Sequence, residues 1–238
     1  MRKLNLTIIL PVYNEGKNIS LVVSTINKKI KIPKEVLVVY DFDKDDTVPV
    51  VKKLQKKYKD LKLIKNNIGK GILNAIKSGF NHAKGNILVV MPADLADDPE
   101  TINKMYKKIM DGYDLVCATR YSKGGKKFGG GVIKSTLSRF AGLSAPLILG
   151  IPTTDLSNGF KMYRKELVNK IEIVSDGGWE FATELTIKAN KLGYKISEVP
   201  SVWKNRVNGK SHFKLRKWLP KYIRWYIYGI RTRFSNSS

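Results

Sequence analysis

The sequence predicts an α/β protein: a mostly parallel sheet with helices on both faces, followed by a basic amphipathic helix. Three observations carry this. Short apolar runs alternate with helical patterns through the first half of the chain. Hydrophobic residues make up 42% of the sequence, enough for a substantial core. The last stretch places Trp, Tyr and Ile at helical spacing among Lys and Arg. A chain of 238 residues suits one large domain with an appendage. The expected division is 1–213 for the α/β domain and 214–238 for a basic amphipathic segment at a membrane interface.

Residues 6–12 are an apolar strand, and 17–29 a helix through Ile19, Val22, Val23 and Ile26. A second strand covers 35–40 and a second helix 48–59. A short strand follows at 61–65, then a helix at 71–83. Residues 86–91 form a strong strand, 99–110 a helix opened by Pro99, and 114–118 another short strand. The run SKGGKKFGGG at 122–131 predicts a mobile loop. Residues 140–154 carry no charge but fall short of the roughly 20 that a membrane span needs. They are expected to form a buried helix, with contact at a membrane interface as the alternative. A helix over 179–192 and a strand over 195–202 complete the domain.

The apolar run of the first ten residues is broken by Asn5 and Thr7 and meets Pro11, so no signal peptide is expected. No transmembrane helix is expected either. The single cysteine, Cys117, excludes an internal disulfide and fits a reducing compartment. Lys and Arg number 44 against 20 Asp and Glu, a net charge of +24. That excess points to a polyanionic partner: nucleic acid, anionic lipid or a phosphorylated small molecule. The lysines within 52–70 and 104–108 also read as solvated helix faces. No finger, helix-turn-helix or RNA-recognition signature is present, so no nucleic-acid partner is expected.

Sheets of this kind bind ligands beyond the carboxyl ends of their strands. The first strand ends in Pro11-Val12-Tyr13-Asn14-Glu15, an aromatic to stack on a base and a carboxylate for ribose hydroxyls. The second ends in Tyr40, Asp41, Asp43, Asp45, Asp46 and Thr47. These carboxylates repel unless a cation or water screens them; the other reading is a turn in which Asp46 or Thr47 caps the next helix. Asp94 and Asp97 follow the fourth strand, where carboxylates suit a hard divalent cation gripping a diphosphate. Asp98, just before Pro99, suits a helix cap. Gly69-Lys70-Gly71 opens a helix and suits an anion.

Taken in order, these pieces resemble glycosyltransferase family 2 and its GT-A fold. The resemblance continues in Ala118-Thr119-Arg120-Tyr121, in Asp155 with Ser157-Asn158-Gly159-Phe160-Lys161, in Glu184, in Glu198-Val199-Pro200, and in Arg206, Gly209 and Ser211. The later segments narrow it to the dolichyl-phosphate mannose synthase branch, over about residues 5–212. The resemblance implies an inverting hexosyltransferase. Pro11, Tyr13, Glu15, Val39, Asp41, Lys70, Ala93 and Asp94 would hold the nucleotide sugar. Asp94, helped by Asp97, would hold Mg²⁺ or Mn²⁺ on the diphosphate. Arg120, Arg139 and Arg206 would join Asp94 as catalytic residues, and Arg139, Arg206 and Ser211 would bind the acceptor phosphate. Four positions depart from the family pattern: Pro92 stands where an aspartate is usual, Tyr40 where the first of two aspartates is usual, Ala96 where a glutamine is frequent, and His212 where a lysine is usual. The processive Q..RW signature is absent.

From 220 to 234, a helix of about 22 Å would lie on a bilayer rather than cross it. A helix docked on the domain is the other reading. The expected function is transfer of mannose or glucose from a GDP- or UDP-hexose to a polyprenyl or dolichyl phosphate. The protein would sit peripherally on an anionic membrane surface, on its cytoplasmic side. The alternative is transfer to a hydroxyl of a glycan or lipid, with Asp155 or Glu184 as the base.

Overall fold

The computed structural model describes residues 5–206 and 215–234. The strands are β1 (Leu6–Pro11), β2 (Lys34–Tyr40), β3 (Leu61–Lys65), β4 (Ile87–Val90), β5 (Leu115–Thr119), β6 (Lys126–Phe128), β7 (Lys161–Arg164), β8 (Ile196–Pro200) and β9 (Val202–Lys204). The helices are α1 (Gly16–Lys29), α2 (Thr47–Leu54), α3 (Ile72–His82), α4 (Thr101–Met110), α5 (Val132–Ser144), α6 (Lys165–Lys170), α7 (Phe181–Lys191) and α8 (Leu215–Phe234). Seven strands form one sheet in the order β3-β2-β1-β4-β7-β5-β8, and β6 pairs with β9 beside it.

The expected mostly parallel sheet is present, with one reversal. β7 runs antiparallel to both β4 and β5. Ile19 and Val23 of α1, Val51 of α2 and Ile102 of α4 pack on one face. Phe80 of α3, Phe181 of α7 and Trp225 of α8 pack on the other. β1 is buried along its whole length, as a central strand covered on both sides should be.

Four sequence expectations need correction. The second helix ends at Leu54 rather than 59, where Lys52/Lys56 and Lys53/Lys57 would place like charges four residues apart. The 122–131 run is not all loop, since Lys126–Phe128 forms β6 on β9. The last strand breaks at Ser201, whose N–H donates to the Thr119 carbonyl at 2.8 Å, and resumes as β9.

The fourth correction concerns 140–154, which is not a buried helix. α5 runs into a π-helical turn, Ala145–Leu149, where Pro146 has no N–H to continue the α pattern. Gly142 packs so tightly on the 153–155 segment that a Cβ there would lie 2.1 Å from the Thr154 carbonyl oxygen. Ala145 and Leu149 also reach the core. The opposite face stays uncovered: Phe140 is 71% and Leu147 80% exposed, with Val132, Ile133 and Leu143 exposed beside them.

α8 lies next to this element, Tyr226 Oη and Ser144 Oγ being 2.6 Å apart. Its inner face docks on the domain through Trp225, which is 5% exposed and donates from Nε1 to Ser175 Oγ at 2.9 Å. Its outer face leaves Ile223, Ile227 and Phe234 exposed. Among the described residues, no helix is long and apolar enough to cross a membrane.

Candidate active site

The β1 and β2 ends lie side by side, Pro11 opposite Val39. Asp41 accepts from Asn66 Nδ2 and from the Gly71 N–H, both at 2.8 Å, and so ties the β2 end to the Gly69-Lys70-Gly71 turn. Both glycines have positive φ, 150° and 113°, which fits a turn only glycine adopts without strain. Lys70 between them is exposed. Tyr13 is exposed and tilts against Phe42 at 5.5 Å, an open aromatic surface.

The remaining carboxylates of the acidic turn are structural. Asp45 accepts from the Thr47 and Asn14 N–H groups. Asp46 accepts from the Gly16 N–H at 2.8 Å, and Asp43 pairs with Lys65. The turn therefore holds the 13–16 loop in place, and neither Asp46 nor Thr47 caps α2 with its side chain as the capping reading expected.

At the β4 end, Leu95 adopts φ 63°, an unusual conformation for a leucine, and the Ala96 N–H donates to Asp94 Oδ1 at 3.1 Å. Asp94 Oδ2 lies 3.3 Å and Glu15 Oε1 3.0 Å from the same nitrogen, Nη2 of Arg206. Burial raises the pKa of Glu15, Asn18 and Arg206 pull it down, and Asp94 adds to the rise. Asp97 is buried, and its Oδ1 has no partner among the described residues. Burial, then Asp94, push its carboxyl up to about 7. Among the described residues, no three His, Cys, Asp or Glu side chains are grouped to hold a metal ion. With Pro92 in place of a carboxylate, Asp97 sealed inside and Asp94 shared with a guanidinium, these residues do not fit a divalent cation held by the protein.

A second cluster lies across β9. Arg120 donates from Nε to Asp155 Oδ2 at 2.7 Å and from Nη2 to Oδ1 at 2.8 Å. Its Nη2 also reaches Ser138 Oγ at 3.2 Å, and that hydroxyl lies 2.7 Å from Ser157 Oγ. Lys127 of β6 sits over the Trp203 ring and donates to Ser135 Oγ at 2.6 Å. Burial, then Arg120, bring its ammonium down to about 8. Lys134, in the first turn of α5, is pushed down by the same two causes. Three cations thus gather at the start of α5 with one buried carboxylate, Asp155, among them. Such a cluster is a positively charged place that suits an anion.

Residues 7–172 match the model of the family described as glycosyl transferase family 2. The chain belongs to that family. It is 33% identical over 232 residues to a dolichol-phosphate mannosyltransferase of Pyrococcus furiosus, covering 95% of this chain and 64% of that one. It is 29% identical over 239 residues to a polyprenol monophosphomannose synthase of Mycolicibacterium smegmatis, covering 97% and 89%. The fold matches glucosyl-3-phosphoglycerate synthase of Mycobacterium tuberculosis, solved with Mn²⁺, UDP and glucosyl-3-phosphoglycerate, with a TM-score of 0.70 at 17% identity over 95% and 80% of the two chains. The same synthase has been solved with Mg²⁺ and UDP. This family 2 glycosyltransferase therefore has the GT-A fold.

Of the residues singled out in the sequence, Pro11, Tyr13, Glu15, Val39, Asp41, Lys70, Ala93 and Asp94 lie on or beside the ends of β1, β2 and β4 or on the turn that Asp41 ties to them. Arg206 joins them from beyond β9. Arg120, expected among the catalytic residues, is held by Asp155, with its side chain 12% exposed. Arg139 is exposed on α5 and makes no described hydrogen bond or ion pair. Ser211 and His212, like the 213/214 boundary, fall outside the described residues. Lys127, Lys134, Ser135 and Ser138 were missed. The signal was the spacing of Lys134 and Ser138, four apart on one helical face, hidden behind a run that reads as loop.

The Asp97 shift has a testable sign. A carboxyl whose folded pKa lies above its unfolded value stabilises the fold at low pH and loses that contribution as pH rises through the folded pKa. Asp97→Asn has no such dependence. Between pH 5 and pH 8 the parent protein should lose roughly 2–3 kcal/mol relative to the variant, measured by denaturant unfolding at each pH. Parallel stability curves for the two proteins would show that Asp97 titrates normally.

Proposed function

We propose that this family 2 glycosyltransferase moves a hexose, mannose or glucose, from GDP- or UDP-hexose to a polyprenyl phosphate. The observation that carries the reading is the Arg120, Lys127 and Lys134 cluster at the start of α5, the helix whose outer face is apolar and exposed. An acceptor with an anionic head and an apolar tail meets both features at once. The names of the Pyrococcus and mycobacterial relatives support the same reading.

The chemistry agrees. A phosphate monoester is largely ionised at pH 7 and needs no base, whereas a hydroxyl does. The two carboxylates expected as bases for a hydroxyl acceptor are engaged. Asp155 is bound to Arg120, and Glu184 accepts from the Val174 and Ser175 N–H groups and pairs with Lys188. In the proposed reaction an acceptor phosphate oxygen forms a bond to the anomeric carbon as the bond to the donor's diphosphate oxygen breaks, with inversion. Two phosphate groups brought together repel strongly away from water, and the cluster offsets that. The exposed faces of α5 and α8 would rest on an anionic membrane, and the lone, buried Cys117 fits its cytoplasmic side.

Steady-state kinetics across pH test this. Lys127 loses its charge as pH rises through about 8, so the KM for polyprenyl phosphate should rise above that pH while the KM for nucleotide sugar stays flat. Lys127→Met should raise the acceptor KM about 10- to 100-fold and remove the pH step, as loss of one charge-assisted contact of roughly 1.5–3 kcal/mol implies. Active protein that glycosylates a hydroxyl acceptor and leaves polyprenyl phosphate untouched would overturn the proposal.

A further inference from the structure

We propose that Arg206 is the resident cation of the donor site, and that this chain binds the donor's diphosphate without a divalent ion held by the protein. The inference rests on reading the β1 and β4 ends as the donor site. Glu15 and Asp94 lie far apart in sequence and close in space, and two carboxylates held together need a positive charge between them. Nη2 of Arg206 supplies it at 3.0 and 3.3 Å.

The arginine's place is built by the fold. The strand that precedes it, β9, is fastened to the turn that bears Asp94: the Lys204 N–H donates to the Ala96 carbonyl at 2.9 Å, and Trp203 bridges to Asp97. Any shift of the Asp94 turn therefore carries Arg206 with it. The positions that could hold a metal are otherwise spent. Pro92 has no ligating side-chain atom, Asp97 is sealed in, and Asp94 Oδ1 already accepts from the Ala96 N–H. A guanidinium keeps its charge at every working pH, and its fork of donors matches diphosphate oxygens. It can turn from the two carboxylates to an arriving diphosphate without leaving the site.

GDP and UDP titrations of the full chain, in Mn²⁺ and in EDTA, test this, with free Mn²⁺ followed separately by electron paramagnetic resonance. Affinity for the nucleotide should differ less than threefold between the two conditions, and the protein alone should not deplete free Mn²⁺. Arg206→Met should lose tenfold or more in nucleotide affinity in EDTA and recover part of it in Mn²⁺, because the vacated Glu15 and Asp94 carboxylates then attract the ion. Pro92→Asp, which adds a carboxylate beside them, should make nucleotide binding respond to Mn²⁺. If the parent protein binds nucleotide threefold or more tightly with Mn²⁺ than with EDTA, the donor reading stands and the Arg206 proposal falls. If neither nucleotide binds in either condition, the donor reading falls and takes the proposal with it.

Discussion

Arg120→Ala is expected to destabilise the fold by about 3–5 kcal/mol and to abolish transfer, because it strands a fully buried carboxylate. Asp155 sits beneath Gly142 and the start of α5 and takes three hydrogen bonds from Arg120, one from its backbone N–H and two from its guanidinium. Arg120 is its ion-pair partner among the described residues, with Lys127 and Lys161 adding attraction. Asp155→Ala should cost at least as much, since it leaves Arg120, Lys127 and Lys134 together without their carboxylate. That loss should shrink as pH rises past about 8 and Lys127 gives up its proton. Replacing both partners, Arg120→Met with Asp155→Leu, removes the stranded charge and should recover most of the stability while transfer stays absent. Denaturant unfolding and a transfer assay on the three variants separate the two roles. An unchanged unfolding midpoint in Arg120→Ala would show that the pair is open to water in solution.

The alternation of strands and helices was legible because it is written in local periodicity. β7 was not, because KMYR has charged ends and no alternation; it is a strand only because β4 and β5 flank it. Its Lys161 is fully buried, donating to the Leu156 and Ala182 carbonyls and to Thr186 Oγ1, a pattern no composition rule favours. The strand-end residues of the site were legible because open α/β sheets put ligands there. Their partners were not. The Arg206 contacts to Glu15 and Asp94 join residues distant in sequence, brought together because β9 is fastened to the Asp94 turn as well as to β6. The lack of charge over 140–154 was visible, but whether that surface faces the core or solvent depends on how closely Gly142 lets α5 approach.

Phe140→Glu with Leu147→Glu is expected to release the protein from anionic vesicles without unfolding it. Both side chains are mostly exposed, so neither contributes much to the core. Each apolar side chain withheld from the membrane forfeits about 1.5–3 kcal/mol, so the pair should weaken partitioning by roughly 100-fold or more. Truncating α8 is a poorer test, because Trp225 is core and its loss would destabilise the domain. Ile223→Glu with Ile227→Glu, on the outer face of α8, is the matched variant and should have a similar effect. The charge contribution separates by salt: binding through Lys and Arg weakens as the Debye length falls, while apolar insertion does not. The parent protein should therefore keep part of its binding at 0.5 M salt, and the Glu variants none. If the variants sediment with vesicles as well as the parent, the exposed faces of α5 and α8 serve something other than a bilayer. If they are released, transfer to a long polyprenyl phosphate in vesicles should fall with them. Transfer to a short, water-soluble prenyl phosphate should persist, because the cation cluster that receives the phosphate is untouched.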